Sequence, residues 1–199
     1  MKVLLLDADG VVLKKGELFS ERFAREHNVP NEAILPFFRG PFAECQAGTK
    51  DLKDELAPFL ESWGWEGSVE EFLDYWFEDV VIDPEINALL ATCKEKGIAC
   101  YMASNNEHYR ARHIEAVLAD QLDGYFFSAD LKLKKDNPAY FETVLEQLDL
   151  PASEVGFVDN EAKNVEAAAE VGLDARLYKS DILGEFMSET TLSEFKRVQ

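Results

Sequence analysis

The sequence predicts an α/β fold: a Rossmann-like parallel sheet flanked by helices, with a helical cap inserted after the first strand. Three observations carry this. Short continuous apolar runs, of the kind that form strands buried on both faces, alternate with amphipathic segments of helical period. The strongest of those runs each end at a polar or acidic cluster. Residues 14–82 break the alternation with helical patterns alone.

The elements follow in chain order. Val3-Leu4-Leu5-Leu6 is the first strand and stops at Asp7-Ala8-Asp9-Gly10. The insertion reads as helices at Leu18–His27, Glu32–Phe38, Leu52–Trp63 and Val69–Phe77, and it holds all three tryptophans, Trp63, Trp65 and Trp76. These aromatics are expected to form its core. Pro84 to Lys96 carries Ile86, Leu89, Leu90 and Cys93 on one face and ends at Gly97, a helix-terminating glycine. Ile98 to Ala103 is the second strand, ending at Ser104-Asn105-Asn106, and Tyr109 to Ala119 is the helix after it. Gly124 to Phe127 is a third strand. Pro138 opens a helix through Leu148, since proline suits a first helical turn. Val155 to Val158 ends at Asp159-Asn160, Ala162 to Val171 is helical, and Asp174 to Tyr178 is a weaker last strand. The expected division is a core of residues 1–13 and 83–199 and a cap of residues 14–82. The tail after Tyr178 is irregular.

Composition narrows the function. The chain has 199 residues and a formal net charge of −19. Nucleic acid and anionic membranes are therefore excluded as expected partners, because both need a basic surface. A small anionic substrate stays compatible if a metal or a few bases dominate one site. Cys45, Cys93 and Cys100 are scattered and form no C-x-x-C pair, which fits a reducing cytoplasm. The apolar run at the N-terminus is too short for a secretory signal, and no run is long enough for a membrane helix.

Ligands of open parallel sheets bind at the carboxyl ends of the strands. Four candidate clusters fall there. Asp7 and Asp9, two residues apart, can flank one reacting atom, one as nucleophile and one as proton donor. Ser104-Asn105-Asn106-Glu107 reads as a capping box, and also as a hydroxyl and free N–H groups that could take a phosphate. Lys132, Lys134 and Lys135 offer local positive charge in a chain whose net charge is −19. Asp159-Asn160-Glu161 reads as a helix cap or as a Mg²⁺ site.

Together and in this order, these clusters resemble the motifs of the haloacid dehalogenase-like (HAD) hydrolase superfamily, in its capped phosphatase branch. Leu4-Leu5-Leu6-Asp7-Ala8-Asp9-Gly10-Val11 is similar to the first motif, and Met102-Ala103-Ser104-Asn105 to the second. Lys135-Asp136-Asn137-Pro138 is similar to the third, and Phe157-Val158-Asp159-Asn160 through Ala168 to the fourth. Within the superfamily the resemblance leans toward sugar-phosphatase-type members. It implies a Mg²⁺-dependent phosphomonoester hydrolase acting on a small phosphorylated metabolite through an aspartyl-phosphate. Asp7 would be the nucleophile and Asp9 the general acid and base. Ser104, Asn105 and Lys135 would bind phosphate; Asp7, the Asp9 carbonyl and Asp159 or Asn160 would hold the metal. The resemblance also argues against C–halogen hydrolysis, because it implies that dehalogenases of the superfamily lack the acid found here as Asp9.

Two positions depart from the pattern: Asp136-Asn137 stands where Pro-Asp is usual, and Asn160 stands where a second aspartate is usual. The second departure supports a competing expectation, a catalytically weak relative that binds a phosphorylated ligand or a partner protein. Arg39 and His108 are further candidates for substrate contact. His108 and His113 are five residues apart and do not share a helix face as a metal pair would.

Overall fold

The structure, a computed structural model, describes residues 1–178 apart from Lys15 and Asp79. The expected tail after Tyr178 lies outside the described residues. Five parallel strands form one sheet: β1 (Val3–Leu6), β2 (Ala99–Ser104), β3 (Gly124–Phe127), β4 (Val155–Asp159) and β5 (Asp174–Leu177), in the order β3-β2-β1-β4-β5. The central strand β1 pairs with β2 through Leu6 and Met102 and with β4 through Leu6 and Val158.

The apolar runs are continuous because the sheet is covered on both faces. Leu4 and Leu6 pack with Ile86 and Leu89 of α6 (Pro84–Glu95) and with Ile114 and Leu118 of α7 (His108–Leu118). Val3 and Leu5 point the other way. They meet Tyr140, Phe141 and Val144 of α9 (Pro138–Leu148) and Ala167 and Ala168 of α10 (Ala162–Glu170). The helix signals act as read. Asp83 and Asn137 cap α6 and α9 ahead of Pro84 and Pro138, and Gly97 ends α6 with φ +68°.

Between β1 and α6 lie α1 (Phe19–His27), α2 (Asn31–Arg39), α3 (Pro41–Gln46), α4 (Leu52–Ser62) and α5 (Val69–Phe77). They bury their own core around Phe23, Phe37, Phe72 and Trp76. The short α3 was not expected from the pattern, although Gly40-Pro41, a break followed by an N-terminal proline, signals it. The single turn α8 (Ser128–Leu131) was not expected either, being too short to show a period.

α3 and α8 form one of the places where the inserted helices meet the rest of the chain. Ser128 Oγ donates to the Gln46 carbonyl at 2.6 Å, and Gln46 Nε2 donates to the Asn105 carbonyl at 2.9 Å. Gly48, at φ +66°, lies so close that a Cβ would stand 2.1 Å from the Ala129 carbonyl oxygen.

Candidate functional site

The candidate site forms where the chain order of the strands reverses, between β1 and β4, at their carboxyl ends. This is the place where open α/β sheets leave a crevice. Strand β1 delivers Asp7, whose N–H donates to the Val158 carbonyl at 3.0 Å. Residues 8–13 then fold back on themselves. Val12 and Leu13 donate to the Asp7 and Ala8 carbonyls, and Gly10, at φ +83°, makes the turn. Strand β4 ends in Asp159.

Lys135 ties these two strand ends together. Its Nζ donates to Asp7 Oδ1 and, at 2.7 Å, to Asp159 Oδ2. The three side chains are 2%, 8% and 1% exposed for Lys135, Asp7 and Asp159. Of the three lysines in the cluster, this one alone is buried; Lys132 is exposed and Lys134 half-buried. Lys135 is oriented by Asn105, whose Oδ1 accepts its backbone N–H at 2.9 Å. Asn105 thus acts first as a tether between the loops after β2 and β3.

Two buried carboxylates share one ammonium, so the site carries excess negative charge in a dry setting. Burial pushes the Asp7 carboxyl up, Lys135 pulls it down, and Asp159 adds to the rise. Burial alone would lower the Lys135 ammonium, but the two carboxylates reverse that and raise it. Asp159 is held further: its Oδ1 accepts the Glu161 N–H at 2.7 Å and its Oδ2 accepts Asn164 Nδ2 at 3.0 Å. Asn164, buried, keeps its Oδ1 without a partner among the described residues.

Ser104 closes β2 and is 2% exposed, with its Oγ accepting from Asn106 Nδ2 at 2.7 Å. The capping-box reading of Ser104 and Glu107 is corrected here. Pairing with β3 keeps Ser104 in the strand, so α7 begins later and Glu107 itself is the N-cap. Both Glu107 oxygens are occupied, accepting Tyr109 N–H and Arg110 N–H at 2.7 Å each. Those N–H groups are therefore not free for a phosphate.

Asp9 stands apart from the buried trio. Its side chain is 59% exposed and pairs with Arg110 Nη2 at 2.5 Å. Its backbone carbonyl accepts Asn160 Nδ2 at 2.8 Å. Arg110 is a residue the sequence reading missed; only its place six residues after Ser104, in the first turn of α7, hints at it. His108 is exposed, with Nδ1 3.0 Å from Asp130 Oδ1. Arg39, the last residue of α2, is exposed and makes no hydrogen bond with the buried trio among the described residues.

A family model described as haloacid dehalogenase-like hydrolase matches residues 1–172. The chain belongs to the haloacid dehalogenase-like hydrolases. Among solved HAD proteins, a HAD family enzyme from Bacteroides thetaiotaomicron, held with magnesium and inorganic phosphate, is 22% identical. The match covers 90% of this chain and 95% of that one, with a TM-score of 0.76. A HAD-like family hydrolase from Porphyromonas gingivalis is 15% identical over 94% of this chain and 97% of its own, with a TM-score of 0.75. At these identities the likeness shows the shared fold. By sequence, a sesquiterpene phosphatase from Aspergillus oryzae is 36% identical over 110 residues, 53% of this chain and 54% of that protein. The chain spans about half the length of that relative.

A HAD chain with this donor set fits a hard divalent cation. Such a cation could take carboxylate oxygens from Asp7 and Asp159, the Asp9 carbonyl and the Asn160 side-chain oxygen, all at the ends of β1 and β4. The excess buried negative charge is what such a cation would neutralise. Among the described residues no three His, Cys, Asp or Glu side chains converge as a metal cage. Mg²⁺ does not need one: it takes one or two carboxylates plus waters and substrate phosphate.

Proposed function

We propose that this hydrolase is a Mg²⁺-dependent phosphatase that cleaves small phosphomonoesters through an aspartyl-phosphate on Asp7. The observation that carries the reading is the buried Lys135 ammonium between Asp7 and Asp159 at the β1/β4 switch point. Phosphoryl transfer asks a protein mainly for positioning and charge neutralisation, and this arrangement holds a carboxylate and a cation fixed side by side. The phosphatase activity named for the Aspergillus relative and the magnesium and phosphate held by the Bacteroides enzyme support the same reading.

In the first step an Asp7 oxygen bonds to phosphorus as the bond to the leaving oxygen breaks, and Asp9 gives that oxygen its proton. In the second, water bonds to phosphorus, Asp9 takes the water proton, and the Asp7–phosphorus bond breaks. Lys135 and Ser104 hold phosphoryl oxygens. Lys135 also keeps Asp7 from rotating, and Asn105 keeps Lys135 in place. Bound Mg²⁺, held by Asp7, the Asp9 carbonyl and Asp159 or Asn160, would supply charge neutralisation for the phosphoryl oxygens.

In the same reading, residues 1–13 and 83–178 form the core and residues 14–82 a cap that excludes water and selects substrate, residues 179–199 lying outside the described residues. The buried free thiols of Cys45, Cys93 and Cys100 fit a reducing cytoplasm. Among the described residues no helix is long and apolar enough to cross a membrane.

The test is phosphate release from p-nitrophenyl phosphate and a panel of phosphorylated metabolites, with Mg²⁺ and with chelator. Asp7→Asn should lower turnover by roughly a thousandfold or more, as loss of a nucleophile does. Turnover near wild type in Asp7→Asn would overturn the mechanism. Phosphate binding with no release by the wild-type protein would favour a non-catalytic ligand-binding role.

A further inference from the structure

Arg110 is the strongest basic group at the site that the proposed mechanism leaves without work. It rises from the first turn of α7, and its guanidinium carbon lies 5.9 Å from the ring centre of Phe77 in α5. The side chain is 17% exposed, in a chain whose net charge is −19. One nitrogen, Nη2, pairs with Asp9 Oδ1. Another, Nε, is buried and has no partner among the described residues. A buried donor without an acceptor is uncommon in a folded protein and calls for one.

The pairing competes with the role the mechanism gives Asp9. Arg110 Nη2 holds Asp9 Oδ1, while the mechanism needs the Asp9 carboxyl to face the leaving oxygen. Turning toward substrate loosens its hold on Arg110. A neutral leaving group offers nothing to replace it, and a guanidinium stripped of its partner in a closing site is strongly disfavoured. An anion carried by the leaving group would replace it. The planar guanidinium fork matches a carboxylate or phosphate through two N–H donors, and such an anion could also satisfy Nε.

We propose that Arg110 is a substrate-recognition residue that binds a second anionic group, carried by the leaving half of the substrate within a few ångströms of the scissile oxygen, and thereby releases Asp9. This rests on the phosphatase reading above. The shared chemistry is an anion beside the scissile bond. Phosphorylated hydroxy acids and monoesters of diphosphate both have it.

Binding ligands that cannot turn over separate this inference from the activity. Methylphosphonate, phosphonoacetate and methylenediphosphonate are titrated calorimetrically at fixed free Mg²⁺. They carry, in turn, no second anion, a carboxylate and a second phosphonate. The wild-type protein should bind at least one of the latter two tenfold or more tighter than methylphosphonate, and the tighter of the two identifies the source of the anion. Arg110→Gln should erase that preference, and Arg110→Lys, which keeps the charge without the fork, should retain part of it. Asp9→Asn, which removes the competitor for Arg110, should enlarge it severalfold. A residue that only braced Phe77 would not respond to Asp9 in this way. Equal affinity of the wild-type protein for all three ligands would overturn the proposal, as would a preference that survives in Arg110→Gln. Failure to hydrolyse any phosphate ester would overturn the phosphatase reading and leave this binding comparison standing.

Discussion

The side-chain amide of Asn160 donates to the backbone carbonyl of Asp9 at 2.8 Å. Asn160, one of the two expected departures from the motif pattern, thus serves as a clip between the ends of β4 and β1. An aspartate at 160 would set a carboxylate against that carbonyl, with a cation as the natural mediator. Asn160→Asp is expected to bind Mg²⁺ tighter by roughly tenfold, in line with changes around a metal's ligands. Without metal it should be less stable than wild type by about 1 kcal/mol, the worth of one hydrogen bond. Calorimetric titration and denaturant melts in chelator check both. Equal Mg²⁺ affinity would leave Asp159 as the ligand and Asn160 as a clip only.

Lys135 is the sole counter-charge of two buried carboxylates among the described residues. Lys135→Met keeps the volume and removes the charge. The expected cost is about 3–5 kcal/mol, the usual penalty for breaking a buried pair by removing one partner. Turnover should fall below detection in the same protein. Urea melts report the first and phosphate release the second. A variant as stable as wild type would mean that water reaches Asp7 and Asp159 freely.

Gly48 fits against Ala129 only because it lacks a side chain. Its φ of +66° is strained for any other residue, by about 1–2 kcal/mol, and a Cβ would clash with the Ala129 carbonyl. Gly48→Ala should loosen the docking of α3 on α8 and weaken the Gln46–Asn105 bond beside Lys135. Faster amide exchange confined to α3, α8 and the Asn105 loop, with reduced turnover, is the expected result. Unchanged exchange would show that this contact does not hold the inserted helices.

Glu107 gives a pH dependence of stability. Burial raises its carboxyl above the ordinary glutamate range, with the Arg110 and Tyr109 N–H bonds pulling the other way. A carboxyl raised on folding favours the folded state most at pH below its unfolded pKa. That contribution is lost as pH rises through its folded pKa. Glu107→Gln has no such group. Its stability relative to wild type should therefore improve as pH rises from about 4 to 7, whatever the cost of losing one acceptor for the α7 N–H groups. Thermal melts across that range check the slope. A difference that stayed flat with pH would show that Glu107 titrates as if exposed.

The sequence by itself determined the strands, most of the helices and the end of the sheet where the chemistry gathers. Those features are local. An apolar run fixes a doubly covered strand, Pro138 and Gly97 fix helix ends, and a parallel sheet brings all its carboxyl ends to one edge. Only the tertiary structure decided how the polar groups there are shared. Lys135, not Lys132 or Lys134, reaches Asp7, across 128 positions. Arg110 reaches Asp9 across 101. Glu107, not Ser104, caps α7, because pairing with β3 holds Ser104 in its strand. The physical reason is that a buried charge takes whichever partner the packed chain leaves within hydrogen-bond reach, and that reach is set by strand register and helix docking rather than by neighbouring sequence.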